Sequence, residues 1–150
     1  MKTVVQHAQP KILEPGQGDM HSMLTHTLVW NLDGNDTNGQ YAVFEMIDAA
    51  DGAPPLHRHP WEETFYILEG ELEITLGHRQ QVVTAGAVSH IPANAVHTFK
   101  VLSAIVRVLV IVSPATAAEF YREVGERITS LPPDLTVLQE ISAKYDLQFE

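Results

Sequence analysis

The chain has 150 residues, enough for one hydrophobic core, with 45% of them hydrophobic and 19% charged, which excludes a disordered polar chain. Nine basic residues against nineteen acidic ones give a net charge of −10, which argues against nucleic-acid binding, because phosphate neutralisation needs clustered Lys and Arg. No apolar run reaches the roughly 20 residues of a membrane helix, so no membrane role is expected. Met1 to Pro10 lacks the apolar core of a signal peptide, and there are no cysteines, so a cytoplasmic setting is expected. Eight histidines, several of them close together, stand out.

Residues 1 to 20 read as irregular, broken by Pro10, Pro15, Gly16 and Gly18. From there short β segments follow one another. Leu24 to Leu32 is the first, and a polar loop with the hairpin signal Asn38-Gly39 leads to Tyr41 to Asp48. A Gly/Pro-rich loop covers 51 to 60. Thr64 to Leu68 is apolar throughout, as in a strand covered on both faces. Leu72, Ile74 and Leu76 alternate with Glu71, Glu73 and Thr75, the pattern of a half-buried strand. Gln80 to Thr84 returns after a turn at Gly77-His78. Val88 to Ile91, His97 to Val101 and Ala104 to Val112 complete the series. Many short strands without a long helical pattern between them predict an antiparallel sandwich or barrel with a β core over about 24 to 112.

The tail over about 115 to 146 is helical. Thr116-x-x-Glu119 reads as a capping box opening a helix with Phe120, Val124 and Ile128 on one stripe. Leu131-Pro132-Pro133 interrupts, and a second helix is expected from about Thr136 to Tyr145. Both are expected to pack outside the β unit, the whole of 1–150 forming one domain.

The chemistry concentrates in His57-Arg-His-Pro-Trp-Glu-Glu63. On an extended segment His57 and His59 project to one face, and Glu63 can return there after the bend at Pro60. His97, after Pro92 and Asn94, could be brought opposite them by an antiparallel partner. Three imidazoles and a carboxylate suit one divalent cation of the Fe, Mn, Ni or Zn kind, with open positions left for small molecules. Glu63 is both a ligand and a candidate base. Alternation from Glu63 and His97 points Phe65, Ile67 and Phe99 inward. Phe44 and Met46 flank the polar Glu45, so all five are candidate pocket residues for a small, flat substrate. Trp61 reads as an anchor of the ligand loop, His90 as structural, and His7, His21, His26 and His78 as surface or structural residues without a partner pattern.

These residues resemble the two motifs of the cupin superfamily, G-x5-H-x-H-x3,4-E-x6-G and G-x5-P-x-G-x2-H-x3-N. His57, His59, Glu63 and Gly70 are in step with the first, while Asp51 holds the place of its leading glycine. Gly86, Pro92 and His97 match the second, with Asn94 for its middle glycine and Val101 for its final asparagine. The short spacing between the motifs and the outer features are similar to small single-domain cupins of the quercetin-dioxygenase-like kind. The resemblance implies an all-β double-stranded β-helix, or jelly roll, usually a homodimer, with the metal inside the barrel. It implies a metal-dependent dioxygenase acting on a small aromatic or enediol-like molecule. A metal-dependent isomerase or lyase, or a non-catalytic cupin binding a small ligand, stays open beside it.

Overall fold

In the computed structural model residues 7–150 are described, and the first six residues of the stretch expected to be irregular lie outside them. The β segments pair into two antiparallel sheets. The six-stranded sheet runs β1 (Asp19–Met23), β2 (His26–Leu32), β3 (Ala42–Ala49), β10 (Ile105–Ser113), β5 (Glu62–Glu69) and β8 (Val88–Ile91). The five-stranded sheet runs β11 (Gln148–Phe149), β4 (His57–Arg58), β9 (His97–Val101), β6 (Glu71–Leu76) and β7 (Arg79–Thr84). After β3 the chain crosses between the sheets at every step except the β6–β7 hairpin, which is the jelly-roll arrangement, and the core lies between the two inner faces.

Sequence alternation places that core. Leu28 and Trp30 on β2, Phe44 and Met46 on β3, and Val106, Val108, Val110 and Val112 on β10 all point inward and are buried. Leu72 and Ile74 on β6 face Val101 and Phe99 in register and complete the other wall. The Asn38-Gly39 turn takes positive φ at both residues, 55° and 78°, which these two types tolerate.

The structure departs from the sequence reading in four places. The stretch Leu24 to Leu32 is not one strand: Leu24 and Thr25 form a turn and His26 opens β2. The strand β1 precedes that turn, at an edge where four of its five residues are exposed, so no alternation marked it. Residues Thr64 to Leu68 are not covered on both faces. They alternate like β6, with Phe65 and Ile67 buried and Tyr66 and Leu68 open to solvent, because the outer face of this sheet carries no covering layer there. The Thr116–Glu119 capping box does not form. The chain enters through a 3-10 turn, Ala115–Ala117, so Thr116 sits within a helical turn and the first α-helix starts with no side-chain cap.

That helix, α1 (Ala118–Arg127), buries Phe120 and Val124 and packs on β1, where Gly125 lets it approach the Ser22 carbonyl closely: a Cβ there would lie 2.5 Å from the oxygen. The second helix, α2 (Leu135–Lys144), is capped by Asp134, whose carboxylate accepts from the backbone N–H groups of Thr136 and Val137. Its Ile141 is fully buried. Glu123 ties the two helices, accepting from Arg127 on its own helix and from Lys144 and Tyr145. The tail then returns through β11, which pairs with β4 beside His57.

Candidate metal centre

The three histidines meet because of strand register. Within β4 and beyond it, His57 and His59 share one face, and His57 pairs directly with His97 on β9. The loop after β4 is closed by Asn94, whose N–H donates to the His59 carbonyl at 2.7 Å. Two positions where the family motifs carry glycine take the left-handed conformation here with a residue that tolerates it: Asp51 at φ 68° and Asn94 at φ 64°.

One ring nitrogen each from His57, His59 and His97 lies within 4.8 Å of the others. Glu63, at the start of β5 in the opposite sheet, brings Oε2 to 3.2 Å from His59 Nε2 and 3.4 Å from His97 Nε2. His59, Glu63 and His97 are buried, and His57 is partly open. Each imidazole is steered by a backbone carbonyl at its other nitrogen. His57 Nδ1 donates to Pro55 O at 2.8 Å, His59 Nδ1 to Trp61 O at 3.0 Å and His97 Nδ1 to Ala95 O at 2.8 Å. With Nδ1 carrying the proton, each Nε2 presents a lone pair, the form in which imidazole ligates a metal. His97 Nε2 is buried without a hydrogen-bond partner among the described residues. A proton can join the facing groups, as in the 3.2 Å hydrogen bond between His59 Nε2 and Glu63 Oε2, and with every Nε2 bare the same donor set fits one divalent metal.

The electrostatics follow. Burial pushes the His57 imidazole down to about 4, with the neighbouring His97 adding to the effect, so His57 is neutral at pH 7. Burial alone would raise the Glu63 carboxyl, but in the metal-free site N–H donation and positive charge from His59 and His97 outweigh it and hold the group below the usual carboxylate range; a bound cation would supply that charge instead.

Sequence reasoning missed two residues here. Tyr121, on α1, donates its hydroxyl to Glu63 Oε1 at 3.0 Å and receives the Trp61 indole N–H at 3.4 Å. Enclosure and the adjacent Glu63 charge hold its hydroxyl well above its ordinary pKa, so it stays a donor. Spacing carried the signal: Tyr121 stands three and seven residues before Val124 and Ile128, on the inward stripe. The second is His26, which is not a surface residue but is buried at the start of β2, with Nδ1 2.8 Å from Asp48 Oδ2.

A cavity of about 410 Å³ opens on the cluster. Phe44, Met46, Phe65 and Phe99 line it together with the three histidines, Glu63, His26 and Tyr121. Ile67 does not. It points inward as alternation requires, but it lies two residues further along β5, fully buried within the packed core. Trp61 is buried and stacks flat on His59, ring centroids 4.0 Å apart, and so braces a ligand rather than rimming the mouth. Outside the site, His90 Nδ1 pairs with the Thr64 hydroxyl on the outer surface, and His78 is exposed in the β6–β7 turn.

Comparison with known proteins agrees with this architecture. Residues 43–112 match the family model described as Cupin domain. Quercetin 2,3-dioxygenase of Bacillus subtilis is 28% identical over 122 residues, covering 79% of this chain and 36% of that protein. An uncharacterised Streptomyces coelicolor protein is 36% identical over 56 residues, covering 37% of this chain and 53% of its own length. The chain therefore spans about a third and about half of these curated relatives. Among solved structures, the polyketide cyclase RemF from Streptomyces resistomycificus superposes with a TM-score of 0.61 at 23% identity, over 70% of this chain and 80% of that one. Among the described residues no helix is long and apolar enough to cross a membrane. The jelly roll and the inward-facing histidine cluster agree with the match of residues 43–112 to the Cupin domain model.

Proposed function

We propose that the chain is a metal-dependent dioxygenase acting on a small aromatic or enediol-like molecule. The observation that carries the reading is the convergence of His57, His59, His97 and Glu63 on a cavity walled by Phe44, Met46, Phe65 and Phe99. The likeness to quercetin 2,3-dioxygenase, over 79% of this chain, supports the same substrate type. When bound, an Fe, Mn or Ni cation would supply Lewis-acid and redox chemistry at the polar end of the cavity.

The chain's own residues do the rest. His57, His59, His97 and Glu63 hold the cation through Nε2 atoms and a carboxylate oxygen. Glu63 also serves as the catalytic base, its Oε2 taking the proton of a substrate hydroxyl while Tyr121 keeps Oε1 in place. The aromatic walls hold a flat ring system and exclude water, which strengthens each polar contact at the cluster. A homodimer belongs to this reading: Tyr66, Leu68, Val88, Ile105 and Ile111 are exposed apolar residues on strands of the six-stranded sheet.

Oxygen consumption by protein loaded with Fe(II), Mn(II) or Ni(II), measured against a panel of flavonols and enediols, tests the proposal. Uptake with at least one substrate, abolished in Glu63→Gln, is expected. No uptake with any metal–substrate pair removes the dioxygenase reading. Turnover under strict anaerobiosis would instead favour an isomerase or lyase.

A further inference from the structure

We propose that His26, held by Asp48, is a second polar anchor of the cavity and takes a hydroxyl at the far end of an aromatic ligand. The inference rests on the reading of this cavity as a substrate site and narrows its ligand to a polyphenol with an oxygen at each end.

Four observations carry it. The first is burial: His26 and Asp48 are 8% and 4% exposed, beside a cavity whose lining is mostly apolar apart from the metal centre, Thr25 and Asp51, and the metal centre uses neither. Burying a polar pair is costly unless something repays it. The second is orientation. Asp48 Oδ2 lies 2.8 Å from His26 Nδ1, and the other carboxylate oxygen accepts from the Ala49 N–H at 2.8 Å. The carboxylate therefore favours the proton on Nδ1 and leaves Nε2 as an acceptor, and Nε2 has no partner among the described residues. Nδ1 and Oδ2 are close but not aligned as a hydrogen bond, so their contact is mainly electrostatic. The third is a fitted neighbour. Gly52 packs so close to Asp48 that a Cβ there would lie 2.0 Å from Oδ2, and nothing but glycine leaves the carboxylate where it is.

The fourth observation is placement. On β10, Val112 pairs with Glu63 and Val106 pairs with Asp48, so the two carboxylates stand at opposite ends of the six-stranded sheet. Across the cavity the His26 ring is 6.0 Å from Phe99, which is two residues along β9 from His97. Two residues of strand span roughly 6.6 Å, which puts His26 on the order of 10 Å from the histidine cluster, with Phe99 between them. His26 and the cluster line one continuous cavity. A two- or three-ring aromatic body bridges that distance, with one hydroxyl at the cluster and another at His26 Nε2.

The test is binding, read under argon so that turnover plays no part. The as-purified protein is titrated with 3-hydroxyflavone and with 3,4′-dihydroxyflavone, followed by flavonol fluorescence. A buried acceptor left unpaired by the analogue without the second hydroxyl predicts that the dihydroxy compound binds about tenfold tighter or more. His26→Phe is expected to erase that preference with metal content unchanged, and His26→Gln to restore part of it. A merely structural dyad would weaken both probes equally and leave their ratio alone. Equal affinities in the wild type, a ratio unchanged in His26→Phe, or no binding of either probe overturns the proposal. The two readings fail separately: a protein that consumes no oxygen yet keeps the preference supports the anchor, and oxygen uptake without the preference refutes it.

Discussion

Tyr121→Phe isolates the hydrogen bond from the tail to the proposed ligand Glu63. Phe fills the same space, so packing against Phe44 and Phe120 is kept and no cavity opens. What is lost is the hydroxyl that donates to Glu63 Oε1 at 3.0 Å and accepts from the Trp61 N–H at 3.4 Å. A hydrogen bond to a buried charged group is worth about 1.5–3 kcal/mol, and the stranded indole N–H adds a smaller penalty, so a loss of about 2–3 kcal/mol is expected. For a chain of this length that is a fall in Tm of roughly 5–10 °C in the metal-free protein. The pH dependence has a definite sign. Glu63 ionises below the usual carboxylate range in the fold, so its contacts stabilise above that range and are lost as the carboxyl is protonated in acid. The deficit of Tyr121→Phe should thus be full at neutral pH and shrink as the carboxyl is protonated. With Oε1 released, metal affinity should fall about 10- to 100-fold, read by competition with a chromogenic chelator. A variant that melts within about 1 °C of wild type at neutral pH and binds metal as well would refute the claim that Tyr121 positions Glu63.

Three further outcomes are expected. His59→Ala should lose bound metal by elemental analysis, whereas His78→Ala, in an exposed turn, should keep it; equal losses would contradict the site. In metal-free protein His57 titrates near 4, against an ordinary value of 6.5, so the unfolded chain binds the extra proton between those pH values. Stability should be full above pH 6.5 and fall as pH drops toward 4, by at most about 3 kcal/mol in urea melts, and a flat profile would deny that His57 is buried neutral. Glu123 is held at about 2, chiefly by Lys144 and Tyr145, so Glu123→Gln should speed hydrogen exchange in α2, and wild type should acquire the same behaviour as pH falls from 4.5 toward 2.

Much of the β core was legible: β6 falls where alternation put it, because one face packs inward and the other meets water, and β8 and β9 keep the bounds read between turn signals. Spacing brought the ligand candidates together on paper, because His-x-His on an extended segment can face only one way. What escaped depends on tertiary partners. The edge strand β1 and the two-residue β11 carry no alternation. Thr116 and Glu119 have the chemistry of a cap, but Pro114 starts a 3-10 turn that takes their place. His26 looked solitary because its partner, Asp48, is a neighbour through β2–β3 pairing and not through sequence. Ile67 obeys alternation yet misses the cavity, since facing inward does not decide where the core stops being filled.

The division of labour along the chain bears on specificity. Residues 43–112 hold all four proposed ligands, and the three carbonyls that orient the histidines come from that segment as well. That segment supplies the whole proposed donor set, while Tyr121 outside it fixes Glu63. Within the same segment Phe44, Met46, Phe65 and Phe99 wall the cavity, and the rest of its lining includes groups from outside: His26 and Leu28 from β2, Phe120 and Tyr121 from α1, Leu138 from α2, and Leu147 and Phe149 from the returning tail. Because β11 pairs with β4, the strand bearing His57 is held on one side by the second motif and on the other by the tail. A change in the tail thus reaches the ligands through two routes, the Tyr121–Glu63 hydrogen bond and the β11–β4 pairing. The flanks can re-tune what the cavity accepts without altering a single ligand, and substrate preference should be sought in His26, Tyr121 and Phe149 before the motifs themselves.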